Sequence, residues 1–358
     1  MNDKSILFLI PYPLKKAPSQ RFRVELFFPV LQQNNFKLSI CTFLNESTRA
    51  LLYLKGNLFL KILGIARGFF KRWAELFFKV PFYKYIFIHR ESAPLGPPIF
   101  EWVIAKVYRK KIIYDFDDAI WIPNTSSANH FINWFKAFWK VKYICKWSYK
   151  IVVGNDYLYD YAVQFNKNVI KIPTSIDINN GYEGKGRNEK EKLGVGWTGS
   201  HSTLKYLDGM VPVLNELQGK IDFNFLVIAD KNPLLPVKNF EFIRWKADTE
   251  TDDLLQFDIG IMPLVADAWS EGKCGFKLIQ YFACGIPAIA SPVGVNKVIV
   301  DEEVNGFLCS TNDEWKSAME KLLTDRNLRR QMGLAGREKI ERSYSIQSQS
   351  KKFLQLFS

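Results

Sequence analysis

The sequence predicts an α/β protein built from two Rossmann-like, doubly wound domains. Three observations indicate this fold class: a length of 358 residues, apolar runs that alternate with helical segments, and a polar, glycine-bearing stretch between the two halves. Alternation of strand and helix is the pattern of a parallel sheet covered on both faces. A chain of this length exceeds one ordinary hydrophobic core and suits two domains of roughly 150–200 residues.

Apolar runs place the strands of both domains. Six runs fall in the first domain, 1–178, and the polar stretch 179–192 has the composition of an interdomain linker. The second domain, 193–342, starts again with a strand, followed by a helix over 203–218. The predicted strands are Ser5–Ile10, Leu38–Phe43, Tyr85–His89, Lys111–Tyr114, Ile151–Val153, Val169–Ile172, Leu193–Thr198, Phe223–Ala229, 241–244, Phe257–Leu264 and Ala288–Ser291.

The stretch Phe257–Gly294 predicts an anion site. Within it, Phe276–Cys284 has helical spacing and is followed by a glycine and a proline, which together form a helix-stop signal. In a parallel sheet this helix directs its N-terminus, with free N–H groups and the positive end of the dipole, toward an anion beyond the strand ends. Lys273 and Lys277 add positive charge at that end of the helix.

These residues also carry a family resemblance. The pattern DIGIMPL…GKCGFKLIQYFACGIPAIASPVGV…NGFL resembles the donor-binding segment of GT-B glycosyltransferases of the large retaining family 4 group. That group carries two glutamates eight positions apart, the E-x7-E motif; here Gln280 stands at the second position, Gly272 at the first, and Glu271 one residue away. The resemblance implies two domains facing a cleft, a nucleotide sugar in the C-terminal domain, and a last helix, 343–358, that crosses back to the N-terminal domain.

The resemblance further implies a donor-facing loop at Gly199–Ser202 and a lysine, Lys205, at the diphosphate. The arginine usual after the glycine is missing, so His201 or Lys277 is expected to take its part; the alternative for Lys205 is a solvated surface lysine. Lysines and a helix dipole would stabilise charge on the leaving diphosphate, so no metal and no cofactor besides the nucleotide-sugar co-substrate is expected. The expected catalytic residues are Lys205, Lys277 and Glu271, and the expected donor-binding residues are Gly199, Ser200, His201, Lys273, Gly275, Phe276 and Gln280.

Loops at the strand ends of the first domain predict the acceptor side. Residues 17–23 follow the first strand and 89–91 follow a later one, and doubly wound sheets place ligands at such ends. The PSQRFR run resembles the first-strand loop of some bacterial family 4 transferases. Asp117 and Asp118 are interpreted as acceptor-side or loop-organising residues; the alternative is that they cap the loop 119–128. The expected acceptor-side residues are Ser19, Arg21, Arg23, Arg90, Asp117 and Asp118.

The charge is strongly positive, with 49 Lys and Arg against 36 Asp and Glu, a net +13. Two stretches, 47–80 and 131–150, interleave lysine and arginine with aromatic residues, which indicates an anionic membrane surface. The alternative is that these apolar faces pack on the N-terminal sheet. No nucleic-acid module is recognisable, so nucleic acid is not an expected partner. Scattered cysteines without a CxxC pair favour the cytoplasm. The basic, aromatic stretches predict a peripheral position on the inner face of the cell membrane.

The predicted function is transfer of a sugar from a nucleotide-diphosphate donor to a cell-envelope polysaccharide or a lipid-linked glycan. Two alternatives stay open. A catalytically lapsed nucleotide-sugar-binding protein is suggested by Gln280 and Gly272 at the acidic positions. A sugar-nucleotide epimerase of the same fold would need an acidic or histidine pair for acid–base catalysis.

Overall fold

The computed structural model describes residues 4–54, 56–123, 135–182 and 192–358. Two compact units make up the chain: Met1–Thr174 with Gln349–Ser358, and Ser175–Ser348. Each unit contains one six-stranded sheet in which the strands pair in parallel, so the predicted α/β class is confirmed. Most of the expected linker, 183–191, lies outside the described residues.

The first unit is built around a sheet of strand order β2-β1-β3-β4-β5-β6. Its central strands β1 and β3 are buried along their whole length and mostly apolar, as is typical of parallel strands covered on both faces. The strands are β1 Ser5–Ile10, β2 Lys37–Thr42, β3 Tyr85–His89, β4 Lys111–Phe116, β5 Lys150–Val153 and β6 Val169–Lys171; the helices are α1 Pro18–Arg23, α2 Phe28–Gln33, α3 Glu46–Tyr53, α4 Leu58–Phe78, α5 Ile99–Trp102, α6 Lys140–Trp147 and α7 Asp156–Val163.

The helices of the first unit divide between the two faces of its sheet. The connection from β1 to β2 runs one way along the sheet, whereas those from β2 to β3, β3 to β4 and β4 to β5 run the other way. Because such crossovers are right-handed, α1 and α2 cover one face and α3 to α6 cover the opposite face. The end of the chain packs on the α2 side, where the ring of Phe353 stacks on that of Phe27 at 4.0 Å.

The second unit has the strand order β12-β11-β10-β7-β8-β9. Its strands fall on the predicted apolar runs, and β12 is an addition that the sequence did not indicate. The strands are β7 Leu193–Gly199, β8 Phe223–Ala229, β9 Phe240–Arg244, β10 Ile259–Met262, β11 Ala288–Ala290 and β12 Gly306–Leu308; the helices are α8 Val211–Gln218, α9 Glu250–Leu254, α10 Ala268–Glu271, α11 Phe276–Ala283, α12 Asn296–Ile299, α13 Asn312–Thr324, α14 Arg326–Ser343 and, into the chain end, α15 Ile346–Leu354.

The single helix predicted over 203–218 is wrong. The structure has a 3₁₀ helix over His201–Met210 followed by α8. Pro212 explains the break, since it has no N–H to continue an α-helical ladder from the preceding turn, whereas it is well accommodated in the first turn of a new helix.

Each sheet has one point at which the order of connection reverses. In the first unit it lies between β1 and β3, and in the second between β7 and β10. Open parallel sheets bind ligands beyond the carboxyl ends of the strands at such switch points. The predicted loops after β1, β3 and β7, and the segment after β10, therefore lie where this fold class places its sites.

Candidate functional site

The loop that follows β7 passes close to the sheet at Gly199. A Cβ atom at this position would lie 2.4 Å from the ring of Trp197 and 2.9 Å from Oγ1 of Thr203. Only glycine therefore fits, and it lets the backbone of the loop stay exposed at the strand end. Ser200 precedes the 3₁₀ helix, and its Oγ lies 2.9 Å from Oγ of Ser202.

His201 fixes this loop. Its backbone N–H donates to Oδ1 of Asp230 at 2.6 Å, and its Nδ1 lies 2.7 Å from Oδ2 of the same carboxylate. Both side chains are about half exposed, so the ring edge at Nε2 still faces solvent. The expected donor-side residue His201 is thus tied to the end of β8 while remaining accessible.

Helix α11 begins directly after a glycine in the left-handed region. Gly275 has φ +65°, and a Cβ there would lie 2.3 Å from Cδ1 of Ile299. Phe276, half-buried, is the first residue of the helix. The short helix α10 before it is capped by Asp267, whose Oδ1 accepts from the N–H of Ser270 at 2.7 Å. These contacts fix the N-terminus of α11 beyond the carboxyl end of β10.

Lys277 carries a positive charge that no neighbouring carboxylate balances. Its Nζ lies 3.9 Å from the ring centroid of Trp197, within the range of a cation–π contact. Burial lowers the pKa of Lys277 well below 10.5, and the charge of Lys273 lowers it further. Within the described ranges, no acidic side chain lies within salt-bridge distance of Lys277. The ammonium group is therefore held at the helix N-terminus under electrostatic strain that an anion would relieve.

Lys205 lies on the exposed surface of the 3₁₀ helix, with Nζ 5.2 Å from the ring of Tyr206. The hydroxyl of Tyr206 lies 3.1 Å from Oγ of Ser270 and so joins this helix to α10. Lys273, half-buried, has its Nζ 5.5 Å from the ring of Trp269. The segment after β10 thus contacts this region at two points. Ser270 contacts Tyr206 of the 3₁₀ helix, and Lys277 contacts the ring of Trp197 in β7.

Gln280 does not face the anion site with its amide. The side chain is 3% exposed, and Nε2 donates to Oε1 of Glu250 at 3.2 Å. Nε1 of Trp245 donates to the same oxygen at 3.1 Å. Gln280 was expected among the donor-binding residues; its amide is bound to a buried carboxylate here, and its role toward a donor remains a prediction. Glu271, one of the three expected catalytic residues, is the last residue of α10 and is half-buried.

In the first unit, three side chains form a hydrogen-bonded chain. Nδ1 of His89 lies 2.7 Å from Oδ2 of Asp115, and Nε2 lies 2.9 Å from Oγ of Ser19. With the carboxylate accepting from Nδ1–H, Nε2 is left to accept from the serine hydroxyl, which is the connectivity of a serine–histidine–aspartate triad. The sequence-based site omitted His89 and Asp115, although they are neighbours in the register of β3 and β4.

Arg23 forms a buried ion pair with Asp115 of this hydrogen-bonded chain. It is 3% exposed, its Nε donates to Oδ1 of Asp115 at 3.0 Å, and its Nη1 donates to the carbonyl of Ile172 at 2.8 Å. Arg23 was expected on the acceptor side; its guanidinium is buried against Asp115 and the carbonyl of Ile172, and its role toward an acceptor remains a prediction. Arg21 is half-buried, with its guanidinium 4.8 Å from the ring of Phe22.

Arg90 joins the two predicted carboxylates. Its Nε donates to Oδ1 of Asp117 at 3.0 Å, and its Nη2 donates to Asp118. Burial alone would raise the pKa of Asp117, but Arg90, with His89 and Arg23 behind it, holds that pKa well below 3.8. Asp117 is therefore ionised, and the guanidinium of Arg90 contacts both carboxylates.

The two sites differ in what they can do chemically. The second unit offers backbone N–H groups, a helix dipole and lysine ammonium groups, which suits a polyanion such as a diphosphate. The first unit offers the hydrogen-bonded chain of Ser19, His89 and Asp115, flanked by ion pairs. In the part of the chain that the structure describes, no group of three His, Cys, Asp or Glu side chains is placed to hold a metal ion.

The family-model match lies within the second unit. Residues 217–339 match the family model described as glycosyl transferases group 1. An uncharacterized glycosyltransferase of Methanocaldococcus jannaschii is 29% identical over 136 residues, which are 36% of this chain and 38% of that protein. The matched region thus spans well under half the length of this curated relative.

Solved structures resemble the chain over almost its whole length. A sucrose-phosphate synthase from Thermosynechococcus elongatus superposes with a TM-score of 0.70 at 14% identity, covering 99% of this chain and 98% of that one. Anabaena HepE, solved in complex with UDP and glucose, gives a TM-score of 0.68 at 14% identity, with 98% of each chain covered. A glycosyltransferase from Rickettsia africae gives 0.69 at 13% identity, covering 100% and 98%. The fold is therefore the GT-B fold of these proteins.

Proposed function

We propose, from the premise that residues 217–339 are a glycosyl transferases group 1 region carried on a GT-B fold, that this chain is a glycosyltransferase using a nucleotide-diphosphate sugar. One observation carries the proposal. Lys277 lies uncompensated at the N-terminus of α11, over the ring that also contacts Gly199, at the switch point between β7 and β10. Preorganised positive charge of this kind stabilises the negative charge that develops on a leaving diphosphate.

The donor binds with its diphosphate on the first turn of α11. Backbone N–H groups in the first turn of α11 and the positive end of the helix dipole face the phosphates. Lys277 supplies a half-buried charge and Lys205 an exposed one. The absence of a Cβ at Gly199 lets the loop backbone approach the ligand, with Ser200 and His201 beside it. The support for a nucleotide ligand is this chemistry together with the UDP bound by the HepE relative.

The transfer step uses no metal and retains the anomeric configuration, with a donor phosphate oxygen taking the proton of the acceptor hydroxyl. Its support is the family resemblance and the lysines that substitute for a divalent cation in balancing diphosphate charge. The first unit holds the acceptor through Ser19 and the Arg90–Asp117–Asp118 group. The acceptor is a cell-envelope polysaccharide or a lipid-linked glycan, reached at the inner surface of a membrane; the basic, aromatic stretches of this unit support it.

The test begins with thermal denaturation in UDP-, GDP- and CMP-sugars. One nucleotide class is expected to raise the melting temperature, because a ligand at 100 times its Kd stabilises by about 2.7 kcal/mol. Lys277→Met is expected to lose the shift. Lys238→Met should keep the shift. This lysine is exposed just before the amino end of β9, away from the carboxyl ends of the strands. No shift with any nucleotide sugar in the wild-type protein would overturn the proposal.

A second candidate function is nucleotide-sugar binding without turnover. Gly272 and Gln280 at the family's acidic positions favour it, since Gln280 is occupied by Glu250. Release of nucleoside diphosphate from the stabilising sugar nucleotide, measured with cell-envelope glycans as acceptors, distinguishes the two. Turnover that Lys277→Met abolishes supports the transferase; a thermal shift without any turnover supports the binding protein.

A further inference from the structure

Helix α4 is apolar on two opposite faces. Gly68 and Leu76 turn inward and are buried. The opposite side carries an exposed stripe whose members are four or seven residues apart and so lie on one line along the helix. A surface helix ordinarily presents polar residues there. The stripe consists of Phe59, Leu63, Phe70 and Phe77, which are 76%, 57%, 77% and 55% exposed.

An aromatic groove opens between α5 and α6. Its volume is about 260 Å³, and two prolines complete its wall beside Ile99, Tyr143 and the three tryptophans Trp102, Trp139 and Trp147. This volume is below the roughly 300–1,000 Å³ of ordinary small-molecule sites. The lining offers ring and hydrocarbon surface without the converging polar groups that a sugar requires. The groove therefore suits part of a hydrocarbon chain.

The stripe and the groove share one face of the first unit. Helices α4 to α6 cover the same side of the sheet because their crossovers run in one direction. The ring of Phe100, in α5, lies 4.9 Å from that of Trp73 and 6.1 Å from that of Phe69, both in α4. The groove then joins α5 to α6. The exposed apolar side chains of three helices thus extend over one continuous surface.

The exposed charge on this face is positive. Arg67 and Lys71 are exposed on α4, and Lys142 and Lys146 are exposed on α6. The acids of these helices point inward: Glu75 is buried against Arg72, and Glu101 is buried against the N–H of Ser92. No helix among the described residues is long and apolar enough to cross a bilayer. Apolar side chains bordered by lysine and arginine match the chemistry of an anionic lipid surface.

We propose that the α4–α5–α6 face docks on an anionic lipid bilayer, with the stripe inserted among the acyl chains and one chain end held in the aromatic groove. Aromatic and aliphatic side chains supply the insertion, and lysine and arginine pair with lipid phosphates. This inference extends the membrane setting of the proposed function but needs no donor and no turnover, so either can fail without the other.

The test is sedimentation of the full chain with vesicles of phosphatidylcholine alone or with 30 mol% phosphatidylglycerol, without nucleotide. Binding is expected to the anionic vesicles, to weaken with salt, and to be weak with phosphatidylcholine. Lys142→Glu with Lys146→Glu should lower the partition coefficient by about tenfold or more. The matched control, Lys351→Glu with Lys352→Glu, alters exposed lysines on α15 and should change it little.

Apolar variants separate insertion from charge. Phe70→Ser with Trp139→Ser should lower binding by about tenfold or more, because each side chain loses most of its burial in lipid. Leu234→Ser, an equally exposed apolar residue of the second unit, should have no effect. Equal binding by all variants, or no binding to anionic vesicles at low salt, overturns the proposal. A dimer in sedimentation velocity that Phe70→Ser dissolves would also overturn it by assigning the face to a second copy.

Discussion

The charged groups of the two candidate sites, one in each unit, are arranged in opposite ways. In the first unit, Arg23 is paired with Asp115, and Arg90 with Asp117 and Asp118. In the second, within the described residues, Lys205 and Lys277 have no carboxylate partner, and Lys277 contacts an aromatic ring instead. The first arrangement satisfies its charges internally, whereas the second leaves positive charge available to an external anion.

The difference indicates how to assign roles. A buried pair is expensive to break but gives little net attraction for a ligand, so Arg23 acts by positioning Asp115 and His89. A desolvated ammonium without a partner is destabilising until an anion arrives, so Lys277 has most to gain from ligand binding. Substitution of Arg23 should therefore lower stability, and substitution of Lys277 should lower ligand affinity.

The largest expected effect is on stability in the first unit. Arg23→Ala leaves Asp115 buried without its cation and should lower the free energy of unfolding by about 3–5 kcal/mol. Urea denaturation measures it. Arg67→Ala, which removes an exposed arginine from α4, should change stability by no more than about 0.5 kcal/mol. Equal effects of the two would mean that the buried pair has no special weight.

Next comes the affinity of the second unit. Lys277→Met should weaken nucleoside-diphosphate binding by about ten- to a hundredfold, the worth of a charge-assisted hydrogen bond, and should leave stability equal or higher. Calorimetric titration measures it. Lys205→Met should weaken binding less, because Lys205 is exposed and its charge is screened. A Kd unchanged by Lys277→Met would remove the contrast between the units.

A carboxylate at position 280 tests the buried contact between Gln280 and Glu250 in the second unit. Gln280→Glu replaces the amide that donates to Glu250 with a second carboxylate, and should cost about 1–3 kcal/mol of stability. Adding Glu250→Gln recreates a donor–acceptor pair and should recover most of the loss in a double-mutant cycle. Additive losses would show that the two side chains do not act together.

The smallest expected effect is the pH dependence of binding. The fold lowers the pKa of Lys277, so the unfolded chain binds more protons between that lowered pKa and 10.5, and stability gains from Lys277 as pH rises through this window. Diphosphate binding has the opposite sign because it needs the ammonium form. The Kd should therefore rise as pH rises through the lowered pKa of Lys277 in the wild type and stay flatter in Lys277→Met. Parallel curves would contradict a titrating Lys277 at the ligand.

The sequence predicted what depends on local pattern. Buried runs such as Ser5–Ile10 and Phe223–Ala229 and the start of α11 after Gly275 follow from apolar spacing and helix signals. It could not predict Arg23 with Asp115 or Gln280 with Glu250, because those contacts depend on strand register and tertiary packing between distant segments. The strand β12, Gly306–Leu308, begins with a glycine and contains only two apolar residues, so no apolar run indicated it. The roles of Lys205, Lys277 and Glu271 remain predictions.

A crystal structure with the nucleoside diphosphate chosen by the thermal screen tests the central claim most directly. We expect diphosphate oxygens within about 2.7–3.0 Å of Nζ of Lys277 and of the first backbone N–H groups of α11. A diphosphate bound elsewhere, with Lys277 still resting on the ring of Trp197, would contradict the account.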